Sequence, residues 1–292
     1  MNGVNVSGVA VGTTYGSSGA RATVWSEDGE SLLPTLGGGE SYGMAINSAG
    51  NVAGNSTTGD GVAHAFLTMG DSMMDLGTLG GKWSSAYGVN DELDVVGYSM
   101  ISSGAFRAFY WSSETGMIAL PTLGGANSYA FSINKQGSIV GAANTRAGNN
   151  QAFLYQNGAM EALGTLGGNS SSAYGINSTG DVVGFAYDAG RRQRAFVWRD
   201  GVLFDLNNLV EGLDGWTLDT AYGINDAGQI VGSGTYNGAA SAFRLDPVFT
   251  SIASPAAASA ALAPVPEPST KVLLLGGPLL LWLRRLLIKP ER

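Results

Sequence analysis

Residues 163–184, LGTLGGNSSSAYGINSTGDVVG, decide the architecture, because near copies of them return along the chain at fixed distances. The pair Ile/Val-Asn inside this stretch ends at Asn177 and recurs at Asn5, Asn47, Asn90, Asn134 and Asn225, in steps of 42, 43, 44, 43 and 48 residues. Seven residues after each anchor stands a glycine: Gly12, Gly54, Gly97, Gly141, Gly184 and Gly232. A third landmark is an alanine, followed by phenylalanine in every copy but the first: RATVW, HAFLT, RAFYW, QAFLY, RAFVW and SAFRL. The fourth, Thr-Leu-Gly-Gly, begins at Thr35, Thr78, Thr122 and Thr165, its leucine always 11 residues before the next anchor. Four landmarks held in phase through six copies are a repeat architecture.

Each unit reads as four short strands, such as SSAYGIN, DVVGFAY, RAFVW and VLFDL. They are rich in β-branched and aromatic residues and bounded by Gly, Asn, Asp and Ser. No sustained 3.6-residue apolar period appears in the repeat body, so no helix is expected there. The anchor opens a tight turn (NSAG, NKQG, NSTG, NDAG) in which the Asx side chain bonds backbone ahead and glycine takes positive φ. One copy, NDEL, puts Leu93 in the glycine's place, which predicts a strained turn. A lone four-stranded sheet of about 43 residues cannot bury both faces, so the copies must stack. The expected fold is all-β: a six-bladed β-propeller of four-stranded blades over residues 1–249, with an open β-solenoid as the alternative.

Composition excludes several functions. A net charge of −8 lacks the cationic surface that nucleic-acid binding draws on. The absence of cysteine removes disulfides, thiolate metal sites and thiol nucleophiles. His64 is the single histidine, in a column that is otherwise Arg, Gln or Ser, so a structural place is expected for it. No phosphate loop, GxSxG, HExxH or calcium-loop motif is present, and no cofactor or metal site is expected.

The DLGTLGG, SSAYGVN, DVVG and HAFLT elements resemble the HAF-repeat family of extracellular bacterial proteins over residues 1 to about 249. Only His64-Ala65-Phe66 carries the literal triplet. The resemblance implies an exported protein but no established activity. Residues 1–5, MNGVN, align with the middle of a first strand, with no secretory signal ahead of them. The sixth unit has no evident fourth strand. Together these predict a chain shortened at its N-terminus, with a signal peptide and a further strand upstream.

Beyond the repeat, residues 250–264 are an Ala/Ser/Pro linker, and an apolar run, 272–283, precedes an arginine cluster. That run, expected to be helical, is shorter than the roughly 20 residues that span a bilayer. The basic residues after it should stay cytoplasmic. Val265-Pro266-Glu267-Pro268, the apolar run and Arg284-Arg285 together resemble the PEP-CTERM sorting signal of Gram-negative bacteria, covering residues 265–292. This likeness implies an exosortase-type processing enzyme that recognises Pro266, Glu267 and Pro268. It also implies a transient inner-membrane anchor, release to or display at the cell surface, and association with exopolysaccharide. Pro278 and the extension past Arg285 depart from the usual pattern.

Antiparallel connectivity puts the second-to-third loops and the TLGG connections on one face, where loop variation favours binding. Arg146, Asp188, Arg191 and Arg192, near Arg194, form a guanidinium cluster suited to the carboxylates or sulfates of an acidic glycan. The competing reading is a solvated surface loop. The insertion before Asn225 adds Glu211, Asp214 and Trp216 to the same face, either as binding residues or as a plug of the last junction. The aromatic column Trp25, Trp111, Tyr155 and Trp198 repeats with the units and is expected between blades. The expected role is binding or structural, within an extracellular polysaccharide; the alternative is a carbohydrate-active enzyme, for which no carboxylate pair is evident.

Overall fold

The computed structural model describes residues 2–17, 19–247 and 272–273, and it is a six-bladed β-propeller. Blade one comprises β1 (Gly3–Val4), β2 (Ala10–Gly16), β3 (Gly19–Ser26) and β4 (Gly29–Leu32). Blade two is β5 (Gly37–Ile46) to β8 (Ser72–Asp75), blade three β9 (Gly80–Val89) to β12 (Gly116–Ala119). Blade four runs from β13 (Gly124–Ile133) to β16 (Ala159–Gly164), and blade five from β17 (Gly167–Ile176) to β20 (Val202–Asp205). Blade six holds β21 (Trp216–Ile224), β22 (Ile230–Tyr236), β23 (Ala239–Pro247) and β24 (Val272–Leu273). Strand order follows chain order in every sheet. Neighbouring strands run antiparallel throughout, except that β24 joins β23 in parallel at Asp246 and Pro247. Among the described residues, the sixth blade's fourth place, which had no source in the repeat pattern, is met at the end of β23. The apolar run expected as a helix lies, apart from residues 272–273, outside the described residues, as do Val265, Pro266, Glu267, Pro268, Arg284 and Arg285.

The fixed glycine at seven places past each anchor has a steric cause. A β-bulge between the first and second strands presses a first-strand carbonyl onto it. A Cβ at Gly141 would lie 2.0 Å from Tyr129 O and 2.9 Å from the ring of Phe153; at Gly184 it would meet Ser172 O and Phe196 in the same way. The phenylalanine after the landmark alanine therefore packs its ring against a bare backbone at Gly54, Gly141, Gly184 and Gly232. Phe66, Phe109, Phe153 and Phe196 are wholly buried.

Five apolar clusters lie at the five junctions between consecutive blades. The fourth junction, for example, joins Val140, Ala152 and Leu154 of blade four to Ala173, Val182 and Phe196 of blade five. Of the aromatic column, Trp111, Tyr155 and Trp198 pack, partly buried, against these clusters, whereas Trp25 belongs to none of them. The core thus sits between sheets, as a stack of individually unstable sheets requires.

Anchor asparagines tie the blades together. The Nδ2 of Asn5, Asn47, Asn90, Asn134 and Asn177 each donates to the main-chain carbonyl of the next anchor, at 3.1, 3.1, 3.4, 3.0 and 3.4 Å. The Oδ1 meanwhile accepts N–H groups of its own turn, as Asn134 does from Gln136 and Ser138. At the last anchor Asn225 donates to Gln229 Oε1 instead. The turn glycines hold positive φ, and Leu93 does so too, at φ 66°, as its position predicts.

One expectation fails. Leu206–Leu209 form a one-turn helix, α1, in the insertion ahead of blade six. The Asp205 carboxylate accepts from the Asn207 N–H as N-cap, and Leu206 is buried. A single capped turn is too short to leave a periodic trace.

Candidate functional site

The variable loop of blade five and the insertion before blade six meet in a cavity of about 440 Å³. Its walls include Asp188, Arg192, Arg194, Asp205, Asn208 and Trp216. Asp188 ends β18 (Val182–Asp188), and a turn in which Arg191 takes positive φ, 60°, returns the chain to Arg192. Asp188 Oδ1 accepts the Arg192 N–H at 2.9 Å, and Oδ2 faces Arg192 Nε at 2.8 Å and Arg194 Nε at 3.5 Å. The Arg192 main-chain N–H first, and its guanidinium next, hold the Asp188 carboxyl below the usual carboxylate range. On the other side, Asn207 donates through Nδ2 to Leu218 O and accepts the Leu218 N–H, fixing α1 to β21.

One carboxylate therefore orients two guanidiniums through their Nε groups. Among the described residues the Nη groups of both arginines, Asp205 Oδ2 and the Asn208 carboxamide make no hydrogen bond within the protein. The wall is a mixed set of donors and acceptors with balanced charge, two arginines against two aspartates. Asp188, singled out together with the arginines, pairs with both Arg192 and Arg194, and Asp205 supplies the second negative charge. Such a set matches hydroxyl-rich ligands better than polyanions. Deeper in blade six, burial pushes the Asp219 carboxyl above its ordinary range against the pull of Arg194.

Of the residues singled out from sequence, Asp188, Arg192 and Trp216 come together. Trp216 is mostly buried, stacked on Tyr236 with centroids 5.0 Å apart, so it forms a wall and not an open platform. Arg146, Arg191, Glu211 and Asp214 are exposed and line no part of the cavity. Arg146 lies across Gly124 of its own blade, whose Cβ would stand 2.7 Å from the arginine Cγ. Arg191 and Arg192 both reach the surface, but Arg192 is held at the cavity rim by Asp188, its side chain 70% exposed. His64 pairs through Nδ1 with the Asp75 carboxylate at 2.9 Å, linking the third and fourth strands of blade two.

Sequence reasoning missed an aromatic site. Tyr87, Phe131, Tyr174 and Tyr222, each three residues before an anchor, form a continuous row along the first strands, with centroids 5.8, 5.3 and 5.7 Å apart. Near its start a second cavity, about 400 Å³, is walled by Tyr42, Trp83, Tyr87, Tyr98 and Phe106, with Asn55 and Ser85 among its polar groups. Trp83 is exposed there. The signal was available in the fixed spacing from the anchors.

The class defined by fold and repeat is a β-propeller repeat protein. No family model matches the sequence, and no curated protein matches it. Among solved structures it is similar to TolB from Acinetobacter baumannii (TM-score 0.54, 13% identity, 82% of this chain and 60% of that one). It is also similar to an acylaminoacyl peptidase from Pyrococcus horikoshii (TM-score 0.50, 13% identity, 84% of this chain and 44% of that one). The chain thus spans less than two thirds of either protein, and likeness at this identity establishes the propeller fold alone.

Proposed function

We propose that this chain is an exported binding module whose propeller holds an extracellular polysaccharide at the junction of blades five and six. Its C-terminal segment serves as an exosortase-processed sorting signal with a transient inner-membrane anchor. The observation that carries the reading is the cavity where Asp188 presents the Nη groups of Arg192 and Arg194 beside Asp205, Asn208 and the apolar wall of Trp216. Vicinal hydroxyls fit such alternating donors and acceptors, and a sugar's apolar edge fits the wall. Titrating the full chain with neutral and acidic polysaccharides in affinity electrophoresis tests this. Arg192→Ala with Arg194→Ala should weaken retention by about 10- to 100-fold, the loss of two charge-assisted bonds. Equal retention of the variant, or none of the native chain, refutes it. For the export arm, Pro266→Ala with Glu267→Ala in an exosortase-bearing host should leave an uncleaved C-terminus by mass spectrometry.

A second reading, a carbohydrate-active enzyme, is favoured by one observation: Asp188 and Asp219, both beside Arg194, are pushed in opposite directions. Release of reducing ends from a bound polysaccharide, abolished in Asp188→Asn, would select it over the binding module.

A further inference from the structure

We propose that the aromatic cavity between blades two and three is a binding site for a quaternary ammonium compound, a methylated cation of the choline type. The inference is independent of the polysaccharide cavity at blades five and six. Its first support is the repeat itself, whose other copies show which rings packing requires. Trp83 stands seven residues before its anchor, where blades two, four and five carry Glu40, Asn127 and Ser170. Phe106 stands two residues before its landmark alanine, where the other units carry Ala20, Ala63, Asn150, Gln193 and Ala240. Those blades fold without a ring at either place. Both departures fall in blade three, and both line the same cavity of about 400 Å³.

The rings form a box. Tyr98 and Phe106 meet at 89° with centroids 5.5 Å apart, and Tyr87 stacks on Tyr98. Trp83 walls the same cavity at 48% exposed, in contact with no other ring among the described residues, which leaves its indole surface for a ligand. Aromatic faces carry negative potential and attract cations. No Lys, Arg or His side chain lines the cavity. The Tyr42 hydroxyl donates to Glu40 Oε2 at 2.9 Å, which sets a carboxylate behind the wall and pushes the Tyr42 phenol up. Hydrogen-bonding groups of the wall are mostly engaged with one another. Ser85 Oγ donates to Asn55 Oδ1 at 3.2 Å, and Ser84 Oγ donates to Gly77 O while accepting the Ala65 N–H. Burial, then the hydrogen bond to Tyr87, push the Tyr98 phenol up. A primary ammonium needs acceptors for three N–H groups and finds few here; a quaternary one needs none. A sugar asks for alternating donors and acceptors, which the cavity of blades five and six has and this one lacks. Among the described residues the side-chain donors left over, Asn55 Nδ2 and Trp83 Nε1, suit a hydroxyl or carboxylate elsewhere on the ligand.

Isothermal titration of the full chain with choline chloride, at ionic strength held constant with sodium chloride, tests the proposal. Saturable one-to-one binding is expected. The uncharged carbon isostere of choline, equal in shape, should bind at least about tenfold more weakly. Trp83→Leu keeps an apolar side chain at an exposed position and should weaken choline binding by at least about tenfold, with the circular dichroism unchanged. Phe106→Ala, which copies Ala63 of blade two, should weaken it as well. No saturable choline binding, equal affinity for the uncharged isostere, or native affinity in Trp83→Leu overturns the proposal. So does binding of a methyl glycoside that Trp83→Leu abolishes and choline does not displace, since the cavity would then be a sugar subsite.

Discussion

Replacing Asn134 with alanine isolates what one rung of the asparagine ladder contributes. The side chain, 7% exposed, accepts from the Gln136 and Ser138 amides and donates to Asn177 O in the next blade. Three hydrogen bonds at about 1 kcal/mol each give a loss of about 3 kcal/mol. Asn225→Ala is the internal control, because the side chain of this anchor bonds only within its own exposed turn, to Gln229. Its two bonds should cost at most about 2 kcal/mol on the same count, so the remaining difference of about 1 kcal/mol belongs to burial and to the link between blades. Asn134→Asp keeps the acceptor but sets a carboxylate against a carbonyl, so it should recover little of the loss. Urea denaturation followed by far-UV circular dichroism and by tryptophan fluorescence measures all three, and coincident curves license a single free energy. Equal losses for Asn134→Ala and Asn225→Ala would refute the claim that these side chains join blades.

Gly141→Ala should be more damaging than its size suggests, on the order of 4 kcal/mol or more, because its methyl would collide with Tyr129 O and Phe153; loss of the cooperative melt checks it. Arg199 donates to Asp181, whose side chain is 7% exposed. Arg199→Met should therefore cost about 3 kcal/mol by stranding a buried carboxylate, and adding Asp181→Asn should restore most of it. The Ser178 main-chain N–H, then its hydroxyl, hold Asp226 below its usual pKa of 3.8. A depressed carboxyl stabilises the fold above its unfolded pKa, and that stability is lost as pH falls through the folded value. Asp226→Ala should accordingly lower the urea midpoint at pH 7 and change it little near pH 2; equal effects at both would contradict the assignment.

The blades were legible because every junction imposes the same demands, so the anchor asparagine, the glycine seven places on and the buried phenylalanine recur in phase. Leu93 could be placed in the left-handed region from a single departure in that pattern. The binding cavity was only partly legible. Asp188 and Arg192 stood out by charge, but Asp205, Asn208 and the bond from Asn207 to Leu218 depend on a single helical turn with no period of its own. Arg146 and Arg191 were grouped with them by loop position, yet neither lines the cavity: Arg146 lies across Gly124, and Arg191 stands exposed in a positive-φ turn.

The asparagine contacts are directional, each carboxamide reaching forward in the chain and none reaching back. Units two to five thus each carry a plug on one side and a socket on the other. Gene duplication of one 43-residue block inserts a complete pair of fittings, so copy number can drift by whole units while each seam inside the array stays matched.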